Sequence, residues 1–236
     1  MSRDPLKRAA AVAAVDAEVR PGMRLGLGTG STADEVLIAL GERLADGRLH
    51  DLVGVATSEA TAARAAQLGI ALASLDDVHR LDLAVDGADE IDPELRLIKG
   101  LGGAHLREKV VACAADRMVV VADASKLVGR LGERAPLPVE VIAFARGACE
   151  RHLEDLGWRP AVRLRHDGRA FRTDEGNLIL DCHRDEWSDP ERLAADVGAV
   201  PGVVAHGFFI GIARAAFVAT PSGVRVLEAP AAAPSR

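Results

Sequence analysis

Asp86 and Asp89 stand three residues apart around Gly87 and Ala88, just past the apolar run LDLAV at 81–85. Two carboxylates so placed can bind hydroxyls, act as acid and base, or hold a metal; the plainer alternative is a solvated turn with aspartate caps. Further on, Lys99 opens the run Lys99-Gly100-Leu101-Gly102-Gly103, and Glu108 follows on the next helical stretch. Glycines at a helix start leave N–H groups free for an anion or an oxyanion. On that helix Glu108 shares its face with Ala104, Val111, Ala112 and Ala115. A lone carboxylate on a small apolar face loses hydration, which favours the protonated form and brings its pKa towards that of a useful general base. Without these neighbours, Arg107-Glu108-Lys109 reads as a charged triplet on a solvated face.

A second kind of chemistry is suggested by Gly28-Thr29-Gly30-Ser31-Thr32. Its small residues let backbone N–H groups approach an anion, its hydroxyls can donate, and a helix N-terminus follows. The spacing of Gly26, Gly28 and Gly30 matches neither a dinucleotide fingerprint nor a GK[ST] phosphate loop, and a tight strand-to-helix connection with a hydroxyl cap is the competing reading. The seven histidines form no HxH or HExxH pattern and Cys182-His183 lacks partners at zinc-ligand spacing, so no metal site is expected.

These residues need elements to hold them. From Met23 to about Asp123, β-rich runs alternate with Ala-rich helical stretches, the pattern of a parallel sheet covered by helices. Strands are predicted at 23–27, 52–56, 81–85 and 118–121, and helices at 33–45, 59–68 and 103–115. Thr32 and Glu35 are spaced as a capping box. Asp4 and Pro5 open an earlier helix. The informative loops, including Thr57-Ser58 and the stretch from Asp123 to Lys126, then fall at the carboxyl ends of the strands, where such sheets bind ligands. After Lys126, GRLGERAPLP reads as a linker to a smaller α+β unit with strands at 161–164 and 177–181 and a helix from about Ala143 to Leu156. Residues 207–227 return as strands around a Pro221-Ser222-Gly223 turn. The expected fold is α/β: an open, mainly parallel Rossmann-like sheet with helices on both faces, plus the inserted unit. Residues 1–130 and 207–236 make the main domain, 131–206 the smaller one with a possible oligomer contact, and 229–236 a disordered tail.

Composition narrows the partners. A formal charge of -6 and 3% aromatic residues argue against nucleic acid, which needs cations for phosphates and rings for stacking. Cys113, Cys149 and Cys182 are unpaired in pattern, read as small buried hydrophobes, and suit a reducing compartment. Asp16 and Glu18 break the early apolar run, so a soluble helix is expected there and not a signal peptide. No apolar stretch approaches the ~18 residues of a membrane span, and a cytoplasmic location follows.

Taken together, GLGTGST at 26–32, TSEAT at 57–61, DGADEID at 86–92, KGLGGAHLREKVVA at 99–112 and ADASK at 122–126 closely resemble the ribose-5-phosphate isomerase type A family. PLPVEVI at 136–142, GNLILD at 176–181 and PGVVAHGFF at 201–209 extend the resemblance over nearly the whole chain. It implies cofactor-free interconversion of D-ribose 5-phosphate and D-ribulose 5-phosphate in the pentose phosphate pathway. By motif, Glu108 would carry a proton between C2 and C1 through a cis-enediolate. Lys99 and the Gly100–Gly102 backbone, Leu101 included, would stabilise the oxyanion. Asp86 and Asp89, with Gly87 and Ala88 between them, would bind hydroxyls and assist ring opening. Thr29, Gly30, Ser31 and Thr32 would line the substrate site, with Lys126 and Lys7 neutralising phosphate. The family habit implies a homodimer or homotetramer. Two departures are visible: Leu101 interrupts a glycine run that reads KGGG in many members, and His105-Leu106 replaces a common Leu-Thr pair. His105 is expected to be structural or peripheral. Competing readings are a related sugar-phosphate isomerase-deaminase, a CoA-transferase, or a sugar-phosphate-sensing domain. The last would call for a helix-turn-helix, and none is expected before residue 20 or after 228.

Overall fold

The computed structural model describes residues 4–230. Helix α1 (Pro5–Glu18) starts where Asp4 accepts the Leu6 N–H and proline occupies the first turn. Its Ala10, Ala11, Ala14 and Val15 are buried against the sheet and the next helix. Strand β1 (Arg24–Leu27) leads into α2 (Ser31–Ala45), β2 (Val53–Ala56) into α3 (Glu59–Gln67), and the edge strand β3 (Ala71–Leu72) into the single turn α4 (Leu75–Val78). Strand β4 (Leu83–Asp86) is followed by two short strands, β5 (Glu90–Ile91) and β6 (Leu97–Ile98), and then by α5 (His105–Cys113) and β7 (Met118–Asp123).

The next segment builds a separate sheet from β8 (Leu137–Val141), α6 (Arg146–Asp155), β9 (Arg159–Val162), β10 (Leu178–His183), α7 (Pro190–Gly198) and β11 (Val203–His206). The chain returns through β12 (Phe208–Phe209), β13 (Ala213–Thr220) and β14 (Gly223–Glu228). The main sheet has the order β14-β13-β7-β4-β1-β2-β3, parallel except for β14. The four-stranded sheet, β11-β8-β10-β9, is antiparallel and has its own core, in which Trp158, Trp187 and Phe208 meet edge to face. A three-stranded patch, β12-β6-β5, pairs the returning β12 with two short strands that lie between β4 and β7 in the chain. Buried Ala, Val and Leu fill both faces of the main sheet, in keeping with an aromatic-poor chain.

Several expectations need correction. Helix α2 begins at Ser31, two residues early, because Gly30 adopts a φ of +111° as its N-cap. No side chain caps it, so the Thr32–Glu35 box does not form; Glu35 is buried beside Arg8 instead. Helix α5 starts at His105 and not at 103, since the turn closed by the Gly103 N–H on the Gly100 carbonyl precedes it. Strand β4 runs on to Asp86 itself. Cys149 and Cys182 are buried, but Cys113 is exposed. The linker is not loose. Fully buried Glu90 accepts the N–H groups of Gly132 (2.6 Å), Arg134 (2.6 Å) and Ala135 (2.8 Å), and β8 already takes up Leu137 and Pro138. Glu90→Ala would leave those donors without their acceptor and should cost roughly 2–4 kcal/mol, read as a lower denaturation midpoint at unchanged slope. Of the expected tail, Ala229 still donates to the Arg214 carbonyl, and 231–236 lie outside the described residues.

Candidate active site

The parallel strands deliver their carboxyl ends to one edge, and α5 closes over it. Two glycines in and after β1 make room for the groups packed there. A Cβ on Gly26 would lie 2.5 Å from Val111 Cγ1, and one on Gly28 would lie 2.1 Å from Asp86 Oδ1. The bare Gly26 lets Val111 of α5 pack directly on β1, and the bare Gly28 leaves room for the Asp86 carboxyl beside it.

Between Asp86 and Glu108 sits Lys99, itself 2% exposed. Its ammonium is 3.0 Å from Asp86 Oδ2, 3.2 Å from Glu108 Oε2, and donates to the Gly87 carbonyl at 2.6 Å. The ring of Phe209 lies 5.4 Å from the same nitrogen and 5.1 Å from Lys109 Nζ, so an apolar face backs the charge. Asp86 is fixed from its other oxygen by the Thr29 N–H (3.1 Å) and the Gly87 N–H (2.7 Å). Glu108 Oε2 has no hydrogen-bond partner beyond its ion pair.

The electrostatics follow from burial. Burial, with the nearby Asp86 charge, pushes Glu108 up to about 8, against the pull of Lys99. Asp86 is also raised, by burial, despite Lys99 and the two N–H donors. For Lys99 burial acts downward, but Asp86 and Glu108 outweigh it and its pKa rises, so the cation is permanent at any working pH. One fixed cation thus lies between two carboxyl groups that burial makes harder to ionise.

A cavity of about 120 Å³ opens above this triad. Lys99, Glu108, Asp89, Gly87 and Ala88 line one end, with Gly100 and Gly102 beside them. Thr29, Gly30, Ser31 and Thr32 line the other end, where Lys7 and Lys126 also reach it. Lys7 donates to Ser31 Oγ at 3.0 Å, which holds its charge at the N-terminus of α2. Two cations, a hydroxyl and a helix N-terminus there concentrate positive potential and donors of the kind that suit an anion. Asp89 accepts the Leu101 N–H at 2.9 Å and is thereby aimed along the cavity wall.

Two expected site residues do not line the cavity. Asp86 lies beneath it, reaching the contents only through Lys99 and Glu108, and the exposed side chain of Leu101 points elsewhere. Thr29 brings its backbone but not its hydroxyl, because Oγ1 is committed to Thr57 (2.8 Å), Ser58 (2.9 Å) and Thr61 (3.0 Å). That hydroxyl cluster explains TSEAT, whose role the residue types alone left open. His105 is fully buried under Gly100 and is pushed down to about 3 by burial and the neighbouring cations, so it stays neutral. Sequence reasoning missed Phe209; its place in GFF gave no sign that it would back Lys99. A wider groove of about 850 Å³ runs between α3 and α5, but its lining is mostly apolar and holds no buried carboxylate or lysine.

Among the described residues no helix is long and apolar enough to cross a membrane. The family model for ribose 5-phosphate isomerase A (phosphoriboisomerase A) matches residues 53–223. Ribose-5-phosphate isomerase A of Roseiflexus castenholzii is 59% identical over 224 residues, covering 95% of each chain. Among solved structures, ribose 5-phosphate isomerase A from Methanocaldococcus jannaschii superposes with a TM-score of 0.91 at 40% identity, over 96% of this chain and 100% of that one. A D-ribose-5-phosphate isomerase in complex with phospho-erythronic acid gives 0.93 at 38% identity, over 97% and 100%. With a buried lysine held between two carboxylates at the carboxyl edge of a parallel sheet, and these similarities along its length, the chain belongs to the ribose 5-phosphate isomerase A family.

Proposed function

We propose that the chain interconverts D-ribose 5-phosphate and D-ribulose 5-phosphate by base-catalysed proton transfer through a cis-enediolate. The observation that carries this is Glu108: a buried carboxylate, raised to about 8, facing a cavity with a fixed cation 3.2 Å away. Removing a proton α to a carbonyl requires a base close to carbon and positive charge where the enediolate oxygen forms. Glu108 takes the proton from C2 and returns it to C1, and the reverse reaction uses the same path. Lys99 and the N–H groups of Gly100 and Gly102 stabilise the oxyanion, with Leu101 contributing only backbone. Asp89, with Gly87 and Ala88, binds substrate hydroxyls and assists ring opening, while Asp86 holds Lys99 in place. The phosphate lies against Gly30, Ser31 and Thr32, with Lys7 and Lys126 neutralising it and Thr29 shaping the wall.

The direct test is conversion of ribose 5-phosphate by chelator-treated protein with solvent-deuterium exchange at the transferred position. Undiminished turnover with exchange is expected. Sugar-phosphate binding with no turnover would point to a sensing module, and ammonia release from an amino sugar phosphate to a deaminase.

The pH profile tests the electrostatics. A base acts when deprotonated, so kcat/KM should climb with pH and level off above the raised pKa of Glu108. Asp86→Asn removes the negative neighbour and leaves Lys99 to Glu108 alone, both of which favour the carboxylate. The acid limb of that variant should move to lower pH while its plateau falls; a limb that stays put would separate Asp86 from Glu108.

For the chain as a whole we propose residues 1–130 with 207–236 as the catalytic domain and 131–206 as the smaller domain. We also propose assembly as a homodimer or homotetramer, as in the family that the motifs resemble. Light scattering that gives a monomer would overturn it. A cytoplasmic location is supported by the three free cysteines and the acidic composition.

A further inference from the structure

The glycine loop that faces the cavity is gripped from the smaller sheet. Arg163 lies one residue past β9, with its own N–H on the Ile179 carbonyl (2.8 Å) and its carbonyl on the Phe171 N–H (2.8 Å). Its guanidinium is forked against Asp181: Nε donates to Oδ2 at 2.9 Å and Nη2 meets Oδ1. The remaining nitrogen, Nη1, donates to two successive carbonyls of the loop, Gly100 at 2.8 Å and Leu101 at 2.9 Å. Beside it, Phe171 fills the space where a Cβ on Gly103 would stand, 2.5 Å from Cε1.

In a trans peptide the N–H points opposite to the C=O. Turning the Gly100 carbonyl to Arg163 therefore turns the Leu101 N–H away from it, and that N–H is the one Asp89 accepts at 2.9 Å. By the same geometry the Leu101 carbonyl on Arg163 turns the Gly102 N–H to the far side. Gly102 lines the cavity, and its N–H has no acceptor among the described residues. Arg163 and Asp89 thus hold the loop's peptide planes from opposite sides.

We propose that Arg163, set by Asp181, is a positioning residue for the isomerisation, orienting the Gly102 N–H towards the developing oxyanion without touching the substrate. This rests on the isomerase reading above. A lysine cannot replace the fork, because a point charge does not hold a carboxylate and two carbonyls in one plane. The effect belongs to the transition state, since the N–H meets full negative charge only in the enediolate.

The experiment is steady-state kinetics of wild type, Arg163→Lys and Asp181→Asn, with inhibition by 4-phospho-erythronate and by inorganic phosphate measured on each. Expected for both variants is a kcat lower by roughly 10- to 100-fold with KM within about twofold. The 4-phospho-erythronate inhibition constant should rise with the loss in kcat, and the phosphate constant should not move, because the α2 end of the cavity is untouched. A kcat within twofold of wild type in both variants would overturn the proposal. So would KM and phosphate inhibition worsening together with kcat, which marks general disruption of the fold. If Arg163→Lys fails to fold, Asp181→Asn decides by the same criteria, since it keeps Arg163 and its backbone bonds. Absence of turnover in wild type would instead defeat the isomerase reading itself.

Discussion

Glu108→Gln should lower kcat by about 10³-fold, within the range that loss of a general base produces, with KM little changed. The amide keeps the shape of the side chain and its place on α5, and Lys99 retains Asp86 at 3.0 Å, so the cavity should survive. Solvent deuterium should cease to enter the product, because no other carboxylate in the cavity is placed to exchange with both carbons. Asp89 is tied to the Leu101 N–H and Asp86 lies below the floor. Measuring 4-phospho-erythronate binding alongside turnover separates chemistry from recognition. Retained binding with lost exchange assigns the proton transfer to Glu108; retained exchange would remove it from that role.

Lys99→Met should be nearly as damaging, by roughly 10²- to 10³-fold in kcat, because the one charge facing the oxyanion is removed from a water-poor site. The pH profile should change as well. Lys99 is the group that pulls Glu108 and Asp86 downward against burial, so without it both rise further and the acid limb moves to higher pH. A stability signature accompanies this. A carboxyl whose folded pKa lies above its unfolded value contributes stability that is complete below the unfolded pKa, near 4, and lost as pH rises through the folded one. Lys99→Met should therefore lose melting temperature relative to wild type as the pH is raised from about 5 to 9, and the gap should close at low pH. A constant difference across that range would mean that the two carboxyls are not the groups that depend on Lys99.

Much of this site is legible in the sequence, for local reasons. Asp86, Asp89, Lys99 and Glu108 fall at strand ends and on a helix start, positions dictated by hydrophobic periodicity and glycine placement, and a parallel sheet brings strand ends together. The motifs then implied roles for them, because their order and spacing resemble one family over nearly the whole chain. Helix termini were less legible. The Thr32–Glu35 spacing suggested a cap, yet the positive φ of Gly30 let the helix begin earlier and left Glu35 to pair with Arg8.

The sequence by itself determined the fold class, the strand-end loops and the chemical inventory, because each depends on patterns within a few residues. Only the tertiary structure decided which groups face the substrate. Asp86 does not line the cavity but holds Lys99 from below, its carboxyl seated in the space that the bare Gly28 leaves. The hydroxyl of Thr29 is spent on Thr57, Ser58 and Thr61, and the glycine loop is held by Arg163 from a sheet some sixty residues on. Such contacts join segments far apart in the chain. They are set by packing and by the demand that buried polar groups find partners, neither of which leaves a periodic trace in the sequence.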